Sequence, residues 1–187
     1  MSTLLWVIMA VVVIILLAVI GLYNGLIKLK NRTEEAWSDI DVQLKRRYDL
    51  IPNLVSAVKA YAQHERQTLN EVVTARNQAI SAQQSGDKVK QAEAENMLTG
   101  ALKSIFALSE NYPDLKANEN FLELQRELSD TENKIQASRR FYNSNVKDFN
   151  TKLQVFPSNI IAGWLKFKPY EFFEIEEEEA KPVKVEF

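Results

Sequence analysis

A chain of 187 residues has room for one domain, or for one domain and an anchor. Its 23 basic and 25 acidic side chains nearly cancel, which excludes the global positive field expected of a nucleic-acid-binding protein. There is no cysteine, and so no disulfide, thiolate metal site, cysteine nucleophile or cysteine-linked lipid.

The first element is "LLWVIMAVVVIILLAVIGLY", residues 4–23, which carries no charge. About 20 residues of helix measure roughly 30 Å, the thickness of a bilayer core. Trp6 and Tyr23 lie near its two ends, where amphipathic rings favour the membrane–water boundary. A cleavable signal peptide would want a basic n-region, a shorter apolar core and a small-x-small cleavage site. Here no Lys or Arg precedes the run, and "VIGLYNG" is a poor cleavage site, so the anchor is expected to be retained. Lys28, Lys30 and Arg32 follow directly. The positive-inside rule then puts the body in the cytoplasm and the N-terminus outside. The same three residues are candidates for contact with anionic headgroups. Gly21 and Gly25 form G-x-x-x-G, a spacing that lets transmembrane helices approach closely. Gly25 has a second reading, as a flexible joint between anchor and body.

Residues 28–153 are rich in Ala, Leu, Glu, Lys, Gln and Arg, with Pro52 the one proline before Pro113, a composition that favours helix. Apolar residues recur at three- and four-residue steps along four stretches. The first carries Leu29, Ala36, Ile40, Leu44, Tyr48 and Ile51. The second has Val55, Val58, Ala62, Leu69, Val72 and Ile80, and the third Leu98, Leu102, Ile105 and Leu108. The fourth runs through Phe121, Leu124, Leu128, Ile135, Tyr142, Val146, Phe149 and Leu153. Each is one face of a packed helix. "QQSGDK" (residues 83–88) predicts a break, with Gly86 ending one helix and Asp87 capping the next. "NYPDLKANE" (residues 111–119) predicts another, with Asn118 as a cap. "VFPSN" (residues 155–159) stops the fourth stretch.

Pro52 has two readings. With Asp49 as an N-cap it falls in the first turn of a new helix, where its missing N–H costs nothing. The stripe Leu44, Tyr48, Ile51, Val55, Val58 passes through in phase, which equally fits one long kinked helix. We prefer the corner, because unbroken helices beyond about 25 residues are less usual in globular domains. Four helices with short connections make an up-and-down bundle.

Asp39, Asp41 and Asp49 alternate with Lys45, Arg46 and Arg47. Pairs such as Asp41–Lys45, four apart, predict weak surface ion pairs. An exposed partner-binding patch at Arg46 and Arg47 is the sharper hypothesis. After residue 155 the chain turns aromatic, then acidic. Ile160, Ile161, Trp164, Leu165 and Phe167 form a short apolar patch beside Lys166 and Lys168. Docking onto the bundle is its default, with a membrane surface or a partner groove as alternatives. Residues 176–179, all Glu, read as a solvated tail.

Catalytic groups are scarce. His64 is the sole histidine, so a carboxylate-bridged di-metal site, which needs two Glu-x-x-His pairs, is out of reach. No nucleophile elbow, P-loop or GxGxxG occurs. Neither an enzyme nor a cofactor is expected.

"AWSDIDVQLKRRYDLIPNLV" (residues 36–55) and "FPSNIIAGWLKFKPYEFFEI" (residues 156–175) resemble the two signature segments of the LemA family of bacterial membrane proteins. Anchor, signature, middle helices and end motif follow the family order over nearly the whole chain. The resemblance implies an all-α protein: one transmembrane helix, then a cytoplasmic antiparallel four-helix bundle with long helices, at the inner membrane. It also implies a corner at Pro52. The family has no established activity and no defined functional residues, so none is carried over. Its magnetosome-associated branch suggests membrane organisation, though nothing marks this chain as a member of that branch. Thr33 stands where such proteins often carry an aliphatic residue, and the Glu-rich end looks variable.

The expected layout is an anchor over 1–27, a helical bundle with coiled-coil-like stripes over 28–155, and a C-terminal aromatic segment and acidic tail over 156–187. The expected function is a membrane-anchored scaffold or adaptor, self-associating, in contact with lipid and not with nucleic acid. The alternative is a regulatory binding module that serves a membrane enzyme, such as a quality-control protease, through Arg46, Arg47 or Trp164 and a membrane protein partner.

Overall fold

The computed structural model describes residues 2–173. The acidic run at 176–179 lies outside them. The described chain is all α, in six helices: α1 (Ser2–Tyr61), α2 (Arg66–Ser85), α3 (Lys88–Ser109), α4 (Pro113–Lys116), α5 (Glu119–Gln154) and α6 (Ser158–Trp164). Four of these are long.

The corner expected at Pro52 is absent. α1 continues unbroken to Tyr61 with Pro52 inside it, and the break falls at residues 62–65. Val55 and Val58 therefore belong to α1. A proline inside a helix leaves the carbonyl four residues earlier without its donor, here that of Tyr48. Arg76 of α2 fills the gap, its Nε donating to the Tyr48 carbonyl at 2.8 Å. The orphan acceptor is satisfied from a neighbouring helix, and α1 persists.

The other breaks follow local chemistry. Gly86 ends α2 in the left-handed region, φ 72°, with its N–H on the Gln83 carbonyl. Asp87 caps α3 by accepting from the Lys90 N–H at 3.1 Å. Pro113 opens α4, and Asn118 caps α5 by accepting from the Phe121 N–H at 3.0 Å. After α5, the buried Ser158 hydroxyl contacts the Lys152 carbonyl at 2.6 Å and the Val155 carbonyl at 2.9 Å.

The chain divides into two compact units. One holds residues up to Ser38 with Arg140–Phe172; the other holds Asp39–Arg139 with Phe173. In the second unit α1 buries Ile40, Leu44, Ile51, Leu54 and Val58. Leu54 takes the place that the sequence pattern gave to Val55, which is half-buried. α2 and α3 pack together there, with Ala75, Ala79, Ala92 and Ala94 among their buried residues. Along α5, Phe121, Leu128, Ile135, Tyr142 and Phe149 are all buried. Their seven-residue steps put them on one narrow seam.

Candidate functional site

In the first unit, residues 4–17 of α1 are all exposed. This is the one segment of the described chain long and apolar enough to cross a membrane, and none of it is covered by protein. Trp6 and Tyr23 are exposed on it. Lys28 and Arg32 are exposed just beyond, and Lys30 pairs with Glu34 at 3.7 Å. α1 runs straight through Gly21 and Gly25, so Gly25 is not a joint. A Cβ at either glycine would meet nothing within 4 Å among the described residues.

Packing begins at the residues that directly follow these glycines. Leu22 and Leu26 of α1 meet Ile161 and Ala162 of α6, together with Leu153 and Phe167. The end of α6 makes this geometry. The Phe167 N–H reaches the Ala162 carbonyl at 3.0 Å and the Lys166 N–H the Gly163 carbonyl at 3.2 Å. Lys166 itself sits in the left-handed region at φ 55°. This is a Schellman cap with its customary apolar contact, and it turns Phe167 inward while Trp164 stays out, 78% exposed. Beyond it the chain is strapped to α5. Asn150 donates to the Tyr170 carbonyl at 2.9 Å and accepts from the Tyr170 N–H at 3.0 Å. Phe149 meets both Phe167 and Tyr170, with centroids 6.2 and 5.3 Å away. The Tyr142 hydroxyl donates to the Glu171 carbonyl at 2.9 Å, and that of Tyr170 to the Glu34 carboxylate at 2.8 Å. Burial, then the charge of Glu171, pushes the Tyr142 phenol up to about 12. Burial, then the hydrogen bond to Glu34, raises that of Tyr170.

The second unit holds the charged stretch of α1. Arg46 is exposed and pairs with Glu127. The hydrogen bond to Glu127, then its charge, raises the Arg46 guanidinium above its ordinary value. Arg47 is the correction: it is 1% exposed and cannot form part of a surface patch. Its guanidinium donates to the carboxylates of Glu95 and Glu132 and to the Thr99 hydroxyl, the last at 2.9 Å. The Tyr48 hydroxyl donates to the other oxygen of Glu95. Adjacent residues of α1 thus hold both oxygens of one buried carboxylate. Burial, with the charge of Glu95 and the bond to it, pushes the Tyr48 phenol up, so it stays a donor. Asp41 likewise departs from the expected Lys45 pairing, accepting instead from Gln83 at 2.9 Å and Gln91 at 3.4 Å.

The cluster is closed at its Glu95 end. Both Glu95 oxygens are engaged and the residue is 1% exposed, which leaves no room for proton transfer to a substrate. A cleft of about 230 Å³ shares Thr99 and Glu132 with it, lined otherwise by Leu102, Phe106 and Leu128 among others. Among the described residues, no group of three or more His, Cys, Asp or Glu is placed to hold a metal ion. His64 lies exposed in the break after α1.

Sequence reasoning missed Glu95, Glu132 and Thr99 as partners of Arg47, and Tyr48 as a partner of Glu95. A signal for the Arg47–Glu95 pair exists. Arg47 falls in phase with Leu44 and Ile51 on α1, and Glu95 with Leu98 and Leu102 on α3. Opposite charges on two apolar stripes mark a buried pair.

Comparison with known proteins places this architecture. Protein LemA of Metamycoplasma hominis is 27% identical over 158 residues, covering 84% of this chain and 71% of the relative. The magnetosome protein MamQ 1 of Paramagnetospirillum magneticum is 22% identical over 175 residues. MamQ of Magnetospirillum gryphiswaldense is 21% identical over 174. The matches cover 81% of this chain but only 64% of each magnetosome protein. The LemA family profile matches residues 36–187. An N-terminal segment of α1 that is apolar over a bilayer's length, long bundled helices and this match together make the chain a membrane-associated helical protein belonging to the LemA family.

Proposed function

We propose that this protein is a non-catalytic, membrane-anchored scaffold or adaptor that self-associates and organises proteins or lipid at the bacterial inner membrane. The observation that carries this reading is the continuity of α1. A segment of bilayer length passes into buried, packed residues with no cap or linker before residue 62. A cleaved signal would take Leu22 out of the cluster with Ile161, so the span reads as a permanent part of the fold.

Lys28, Lys30 and Arg32 support a cytoplasmic body and an N-terminus outside. The short connection at Gly86–Asp87 supports antiparallel neighbours, and the seven-residue seam of α5 supports coiled-coil-like packing. The division of labour is an anchor over 1–27, a bundle over 28–155 and a C-terminal segment over 156–187. The open space beside Gly21 and Gly25 supports helix association in the bilayer. Relatives named as magnetosome proteins are in keeping with an organising role. The protease-adaptor reading loses half of its basic surface to the burial of Arg47.

The test is the mass of the full-length protein in mild detergent beside a chain beginning at Asn24. A defined larger assembly for the first and a monomer for the second is the expected result. Two monomers would overturn self-association.

A further inference from the structure

The apolar patch after α5 is split by the fold. Ile161, Ala162 and Phe167 face α1, in the cluster with Leu22 and Leu26. Ile160 and Trp164, one turn apart on α6, stay out, 62% and 78% exposed, and Phe156 just before the helix is 79% exposed. Large side chains bared this far, and in a row, mark a contact surface.

We propose that this row is a second membrane contact: Phe156, Ile160 and Trp164 enter the headgroup region of the same bilayer that α1 spans. The inference rests on α1 being a membrane span, and it adds a contact that the span alone does not imply.

The height of the row on the molecule argues for lipid. α6 is held against α1 at Leu22 and Leu26, where the apolar run gives way to Asn24 after Tyr23. Leu26 lies three residues past Tyr23, or about 4.5 Å along a helix. The headgroup layer on each side of a bilayer is about 5–8 Å deep. α6 therefore docks at the level of that layer. Isoleucine and tryptophan one turn apart on a short helix, with a phenylalanine just before it and cations beside them, suit such a boundary. Lys166 and Lys168 follow the row and are exposed, as are Lys28 and Arg32 on α1. They offer four cations to lipid phosphates. The Schellman cap holds the arrangement: by turning Phe167 in beside Ala162 it leaves Trp164 facing out.

A chain without cysteine lends itself to the test. Ile160→Cys, Trp164→Cys and, in the span, Trp6→Cys are each labelled with a polarity-sensitive fluorophore. The full-length protein is then placed in vesicles of mixed phosphatidylcholine and phosphatidylglycerol. Labels at 160 and 164 should be quenched about twofold or more by lipids brominated near the headgroup, and little by aqueous iodide. The label at 6 reports the span itself. If 6 is quenched by lipid while 160 and 164 answer only to iodide, the second contact is wrong and the anchor stands. If 160 and 164 are shielded from both quenchers as protein density rises, the face docks a second copy, which equally overturns the proposal. If 6 too answers only to iodide, the anchor reading falls. Native helicity of each labelled protein, read by circular dichroism, keeps misfolding out of the comparison.

Discussion

Arg47 and Glu95 are each about 1% exposed, so every charge lost from their cluster leaves another stranded. Removing one partner of a buried pair typically costs about 3–5 kcal/mol, whereas replacing the whole set by apolar groups of similar volume is often neutral. Arg47→Ala should therefore lower unfolding stability by about 3–5 kcal/mol. The triple replacement Arg47→Met, Tyr48→Phe, Glu95→Leu should recover most of that loss, since Glu132 reaches water at 25% exposure. Urea denaturation of the three proteins decides it; a triple variant no more stable than Arg47→Ala would show that the residues act separately. Tyr142 gives a prediction of the opposite kind, in pH. Its folded phenol titrates at about 12 against an ordinary 10.0. The native state keeps a proton that the unfolded chain has released, so the contribution is intact below about pH 10 and is lost as pH rises toward 12. Thermal melts should fall across that alkaline window, and less steeply in Tyr142→Phe.

At the scale of elements, Pro52 and Arg76 form one device. The proline withholds a donor from the Tyr48 carbonyl and the arginine returns it from α2. An unsatisfied acceptor in a partly buried place costs about 1–3 kcal/mol. Arg76→Met should be destabilising by that amount in the native sequence. It should cost clearly less beside Pro52→Ala, where the alanine N–H serves the same carbonyl. A double-mutant cycle by chemical denaturation measures the difference, and full additivity would sever the two residues. The pair also marks how far the sequence is legible. Gly86, Asp87, Pro113 and Asn118 act on neighbours a few residues away, and each break could be read from its own stretch. The fate of Pro52 is decided 24 residues along the chain, and the burial of Arg47 by carboxylates on α3 and α5. Periodicity recorded that these residues share a face with apolar ones, but not which distant groups would meet them. The split of the aromatic segment into Phe167 inside and Trp164 outside was equally hidden, because it depends on a lysine adopting φ 55°.

The described residues divide into two units, and α1 and α5 each contribute to both. In the first unit, α1 and α5 are joined by the returning C-terminal segment: Ile161 and Phe167 at Leu22 and Leu26, Tyr170 on Asn150 and Glu34. In the second, α2 and α3 pack on each other and reach α1 through Arg76, Glu95 and Thr99, while Glu132 of α5 reaches Arg47 directly. A membrane-edge unit built around one short strap should open independently of a unit built from whole helices. Ile161→Ala with Phe167→Ala removes two anchors of the strap while sparing Phe173, whose ring lies under Arg139 at 4.6 Å in the other unit. The loss of packing is about 3 kcal/mol or more, equivalent to roughly a hundredfold in hydrogen-exchange protection. That drop should appear in residues 26–38 and 140–153 of the full-length protein in detergent, with protection along α2 and α3 unchanged. A fall spread evenly over both units would mean that the cores fold as one, because long helices passing through both would then be transmitting every local loss. A confined fall would place the weakest part of the fold beside the bilayer, at the segment whose outward side carries Trp164.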